Sequence, residues 1–143
     1  IRNPAKFFCK KSFLRQKIIF MRVVLLIGCG GFIGSALRYL VSQFVQNKFL
    51  HTFPFGTLFV NIIGCLIIGM IFAFSDRGLM NSDWRMFLAT GICGGFTTFS
   101  TFSNETLSLL RDGQSLYAFG YVSASILLGL LATYIGIVLV KLL

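Results

Sequence analysis

Acid is nearly absent from this chain: 143 residues hold four Asp and Glu, one His and two Pro, and only 12% of residues are charged. A soluble domain carries roughly 25% charged residues, so an ordinary water-soluble fold is excluded. Asp76, Asp83 and Asp112 fall in loops, Glu105 stands alone, and His51 lies in the first loop beside Phe53-Pro54. No nucleophile, base and orienting group can be assembled from that set, so an enzyme is not expected. Cysteine supplies no framework either. Cys29, Cys65 and Cys93 fall one to an apolar run, Cys9 precedes them, and there is no CxxC or Cys/His cluster; they read as small apolar packing residues. No nucleotide motif is present, and nucleic acid is not an expected partner.

What is abundant is apolar surface: 56% of residues are hydrophobic and the mean hydropathy is +0.85. A span needs about 20 apolar residues to cross roughly 30 Å of hydrocarbon. The chain has room for four, near 23–45, 55–75, 86–110 and 115–140. Barrel strands would alternate apolar and polar residues, whereas 58–74 is apolar on every side except at Asn61. The runs are therefore helices, and the lipid bilayer is their expected surrounding. Turn signals separate them: Phe53-Pro54-Phe55-Gly56, Ser75-Asp76-Arg77-Gly78 and Arg111-Asp112-Gly113.

The first 21 residues form a basic tail ahead of a four-helix domain over 22–143. Arg2, Lys6, Lys10, Lys11, Arg15 and Lys17 come with no acid before Met21. Such a tail reads as an anchor for anionic lipid, as the basic part of a signal peptide, or as sequence upstream of a start at Met21. The last is favoured, since the segment has neither amphipathic regularity nor a clear cleavage site. From Met21 onward, Arg22, Arg77, Arg85 and Lys141 fall on one face and Arg38, Lys48 and Arg111 on the other. Orientation follows such Lys/Arg bias. Four against three is no bias, and an antiparallel dimer with one subunit in each orientation becomes plausible; with the tail included, a single orientation is expected.

Polar residues inside the spans carry the functional information. Asn61 must find partners, because an unpaired amide is costly in hydrocarbon. Its partner is either a neighbouring helix or a permeating species. Arg38 snorkels or lines a wet vestibule, where a cation draws anions. Gly30 with Gly34, and Gly91 with Gly95, have the small-xxx-small spacing of close helix packing. In the third run Gly94-Gly95 precedes Phe96, Thr97, Thr98, Phe99, Ser100, Thr101, Phe102, Ser103, Asn104 and Glu105. A phenyl ring has a positive edge, so Phe99 and Phe102 facing a cavity can hold a small anion loosely. The glycine pair beside two threonines can unwind and expose carbonyls, ligands that suit a hard cation. The third helix is thus expected to be broken mid-span.

Gly34-Ser35-Ala36-Leu37-Arg38-Tyr39, the stretch from Pro54 to Gly64 and the 94–105 run occur in the order found in the CrcB/Fluc family of fluoride channels, which the chain resembles over about 22–140. The resemblance implies an antiparallel, dual-topology homodimer of four-helix subunits in the inner membrane. Two fluoride pathways would run along the subunit interface, with one structural Na+ at its centre. By position, Phe99 and Phe102 would form the aromatic box, with Asn61 a donor near the ion. Thr98, Ser100, Thr101, Tyr121 and Ser125 would form the polar track, with Tyr121 and Ser125 sharing a face at i, i+4. Gly94 and Thr97 would offer backbone carbonyls to Na+, Arg38 would sit in the vestibule, and Glu105 matches an acid near the pathway's end whose role is open. Position 129 is Gly where many relatives carry a hydroxyl.

The expected function is passive export of cytoplasmic fluoride, which relieves its toxicity. Fluoride holds water tightly, and such a pore must replace that water with close Asn, Thr, Ser and Tyr donors. Two rivals stand beside it. A proton-coupled exporter of the small multidrug type would need an acid deep in its first span, and Glu105 is the only candidate carrier. A non-transporting structural membrane subunit would use Asn61 and the phenylalanines for packing alone.

Overall fold

The structure, a computed structural model, describes residues 4–49 and 53–143, with side chains from residue 14 onward. The side chains of the basic tail before that point, Cys9 among them, and the loop histidine His51 lie outside the described residues. The described chain is helical, with no strand among the described residues. Helix α1 (Pro4–Lys48) is followed by α2 (Phe55–Asp76). A rod then starts as α3 (Ser82–Arg85), runs into a π-wound stretch (Met86–Cys93) and closes in a short α4 (Gly94–Phe96). Beyond a break come α5 (Phe99–Arg111) and α6 (Ser115–Lys141).

Three helices are long and apolar enough to cross a membrane, within Leu14–Lys48, Phe55–Asp76 and Ser115–Leu142. The second and last match the hydropathy expectation to within two residues at each end. The first does not stop where the basic tail begins. It continues without a break through Met21, and its 45 residues at about 1.5 Å each exceed twice the hydrocarbon thickness. Between Pro4 and Lys48 there is no further proline, so no residue inside the helix lacks the N–H that its backbone ladder needs.

Two helix ends close in the same way. Gly78 (φ 71°) follows α2 and Gly113 (φ 73°) follows α5. The N–H groups of Gly78 and Leu79 donate to Ser75 and Phe74 carbonyls, and those of Gly113 and Gln114 to Leu110 and Leu109 carbonyls. This is the Schellman arrangement, which needs a left-handed residue that glycine adopts freely. At the start of α2, Gln46 ties the end of α1 to the incoming loop, donating to the Phe53 carbonyl at 3.2 Å and accepting from Gly56 N–H at 3.1 Å.

Two helix pairs make the bundle, α2 with α6 and α1 with the third rod. The second contact is made of glycine. A Cβ on Gly30 would come within 2.6 Å of the Phe87 carbonyl oxygen, and one on Gly95 within 2.5 Å of that of Gly31. The small-xxx-small spacings are therefore close packing, as expected. On the α2–α6 side, Gly136 lies against the α2 backbone, where a Cβ would be 3.0 Å from Met70 N. At one end of the bundle Arg22 pairs with Asp83 at 2.7 Å, and the Arg77 guanidinium donates to the Val140 carbonyl.

Candidate functional site

The third rod breaks at two residues, Thr97 (φ −86°, ψ 157°) and Thr98 (φ −149°, ψ 123°), both extended. The break thus falls two residues later than the glycine pair, which was expected to unwind. Gly94 is helical (φ −62°, ψ −36°), and Gly95 is spent on the approach to Gly31. Threonine is β-branched and favours extended backbone, so the residues after the glycines leave the helix.

Leaving a helix in a membrane frees polar groups that need partners, and the structure supplies them. Thr97 stays attached to the preceding turn, its N–H and hydroxyl both donating to the Cys93 carbonyl at 2.9 and 3.0 Å. In a continuous helix the Thr98 N–H would bond Gly94 O. Here it donates to Asn61 Oδ1 at 2.9 Å, while Asn61 Nδ2 donates to the Thr98 carbonyl at 3.1 Å. One side chain satisfies the whole backbone of an extended residue. The Thr98 hydroxyl then caps α5, accepting from Thr101 N–H at 3.2 Å and donating to Thr101 Oγ1 at 3.1 Å. Ser100 Oγ lies 3.3 Å from it. Arg38 Nε donates to the Gly95 carbonyl at 3.2 Å.

Two cavities flank the break. An open groove of about 360 Å³ is lined by Asn61, Gly64, Cys65, Ile68, Thr97, Thr98, Phe99, Phe102, Ser125 and Ile126. The Phe99 and Phe102 rings lie 5.7 Å apart, and Phe99 is 78% exposed. Ser125 Oγ is buried with no hydrogen-bond partner. On the other side a more polar cavity of about 250 Å³ holds Arg38, Ser42, Gln43, Thr57, Thr98, Thr101 and Glu105. Thr98 borders both.

Most of the sequence-derived residues gather here, and some take different positions from the ones expected. Asn61, Thr98, Phe99, Phe102 and Ser125 meet at the groove, and Arg38, Thr101 and Glu105 at the polar cavity. Ser100 is exposed at the start of α5. Tyr121 is fully buried and lines neither cavity; its hydroxyl donates to Glu105 Oε2 at 2.8 Å. Its ring packs on Phe102 at 5.0 Å. Glu105 receives a second hydroxyl, from Thr57 at 2.7 Å.

Sequence reasoning missed Thr57 and the part played by Gly64. Their signal was available: Thr57, Asn61 and Gly64 recur at i, i+4 and i+7, one face of α2. That face meets Glu105, the Thr98 peptide groups and the Thr97 methyl in turn.

The Gly94 carbonyl has lost its helical N–H to Asn61, and Thr97, being extended, turns its own carbonyl out of the helical ladder. Both lie at the C-terminal end of a helical rod, the negative pole of its dipole. Backbone oxygens outside the helical ladder at such an end are of the chemical kind that suits a hard cation.

An apolar helical bundle with a broken rod beside a partly polar groove has the architecture of membrane channels and transporters, in which irregular backbone survives only along a cavity. The chain belongs to the CrcB family: the family profile described as "CrcB-like protein, Camphor Resistance (CrcB)" matches residues 25–137. A relative from Flavobacterium psychrophilum, "Fluoride-specific ion channel FluC", is 44% identical over 122 residues, 85% of this chain and 98% of the relative. Proteins of the same name from Phocaeicola vulgatus (46% over 117 residues, 82% and 97%) and Aquifex aeolicus (47% over 120 residues, 83% and 97%) are similar to it as well. These relatives bear the name of an ion channel and not of an enzyme.

Proposed function

We propose that this protein is a fluoride-specific channel through which cytoplasmic fluoride leaves the cell down its gradient. The observation that carries the reading is the groove at the break. Phenyl rings and a buried Ser125 hydroxyl without a protein partner border it, beside an Asn61 amide with one N–H still to give. An anion that holds its water tightly needs replacement donors of this kind, weak enough to release it again. Ring edges carry positive potential and add attraction without a fixed charge. Arg38 in the adjoining cavity raises the local anion concentration.

The working unit is a four-span subunit, the broken rod being its third span in chain order, paired with an inverted copy in the inner membrane. The groove is open and Phe99 lies on its outer side, as a residue at a subunit interface would. The carbonyls of Gly94 and Thr97 would hold Na+ where two copies meet; the ion supplies charge balance and rigidity at that contact. Fluoride efflux from liposomes containing the full chain, with chloride as control, tests the reading. Fast, fluoride-selective efflux that falls at least about tenfold in Phe99→Ile and in Phe102→Ile, an effect of about 1.4 kcal/mol at the barrier, is the expected result. Folded protein that releases nothing would sink the proposal.

A further inference from the structure

The face of α2 that clamps Thr98 also makes room for Thr97. Gly64 lies one turn beyond Asn61, and a Cβ placed on it would collide with Thr97 Cγ2. The next nearest atoms, Thr97 Cβ and Phe96 Cδ1, are both at 3.6 Å, ordinary contact distance. The conflict is thus with a single methyl group. That methyl cannot simply swing away. The Thr97 hydroxyl is tied to the Cys93 carbonyl at 3.0 Å, and a β-branched side chain has few χ1 states to choose from.

We infer that Gly64 is a positioning residue for conduction: its missing side chain seats the Thr97 methyl and so fixes where the extended pair 97–98 turns the rod into the groove. The inference rests on the channel reading above. Adding one carbon at position 64 drives Thr97 outward. Its carbonyl and the following Thr98 peptide group move with it, while Asn61, on the same helix, stays in place. Helix α2 itself tolerates alanine, which is a better helix former than glycine, so the damage falls on the break and not on α2.

The contact defines its own rescue. Thr97→Ser removes the clashing methyl and keeps the hydroxyl bond to Cys93, whereas Thr97→Val keeps that methyl, puts a second in place of the hydroxyl and loses that bond. Full-length protein, Gly64→Ala, Thr97→Ser, Gly64→Ala/Thr97→Ser and Gly64→Ala/Thr97→Val are reconstituted at low protein-to-lipid ratio. Two quantities are then read: the fraction of vesicles that empty of fluoride, and the rate at which those vesicles empty. The expected result is a rate at least about tenfold slower in Gly64→Ala with the emptying fraction held. The Ser double should return to the Thr97→Ser rate, and the Val double should stay slow. A wild-type rate in Gly64→Ala, a Ser double as slow as Gly64→Ala, or a lost fraction at unchanged rate would each overturn the inference, the last by making Gly64 a folding residue only. A silent wild type would strike the channel reading instead. In that case the seat is still tested by melting, where Thr97→Ser must raise the midpoint of Gly64→Ala and Thr97→Val must not.

Discussion

Glycine does the same work in the two helix pairs, yet only one pair contains a break. Between α2 and α6, Gly69 and Gly136 bring two continuous helices to backbone contact. Between α1 and the third rod, Gly30, Gly34, Gly91 and Gly95 do the same, but two residues after Gly95 the rod turns extended. The glycines are therefore not what opens the helix. What differs is the sequel: two consecutive threonines follow Phe96, and Asn61 bonds both the N–H and the carbonyl of the second, Thr98, while after Gly136 the side chains of Ile137-Val138-Leu139-Val140 are all apolar. In hydrocarbon the helix persists wherever nothing better is offered to its backbone.

The comparison breaks most visibly at Asn61. Asn61→Ala strands the Thr98 N–H and carbonyl together, each costing about 1–3 kcal/mol when unsatisfied. Fluoride efflux should be abolished, and the melting temperature in detergent should drop further than for any other single change named here. Retained efflux would mean that the break holds itself. Gly95→Ala and Gly136→Ala sharpen the point. Each overpacks one helix pair, each should cost about 1–3 kcal/mol, and the two melting shifts should be alike; a harmless Gly95→Ala would return the glycines to a hinge role. At the small end stands Arg22→Ala. Its pair with Asp83 has side chains 69% and 38% exposed, and exposed ion pairs contribute about 0–1 kcal/mol. Its melting temperature should match the wild type, which would confine the stability of the third rod to its glycine contact.

Hydropathy alone made α2 and α6 legible, since uninterrupted apolar runs between Gly-containing turns leave little choice. The existence of the break was legible too, from hydroxyls and glycines crowded into an apolar run. Its position was not. Glycine's conformational freedom pointed to 94–95, and the close approach of Gly31 that uses up this freedom is a contact 64 residues distant in sequence. Tyr121 and Ser125 do follow one another on α6, but spacing could not tell that the phenol turns to Glu105 while the serine borders the groove. Thr57 escaped notice because its partner, Glu105, is 48 residues away. Continuation of α1 back to Pro4 escaped because that stretch has no amphipathic period, the signal on which a helix is recognised.

The Asn61–Thr98 contact has the hydrogen-bond pattern of a β-ladder reduced to a single rung. A carboxamide stands in for the peptide group of a neighbouring strand. A ladder with one rung has no register to slip and no edge on which a further strand could add, so extended backbone is confined to the two residues that need it. The same brevity sets its chemistry. Aspartate lacks the donor and leucine lacks both ends, while glutamine carries the pattern one carbon too far from α2. The bond geometry admits only a side chain with the length and polarity of asparagine.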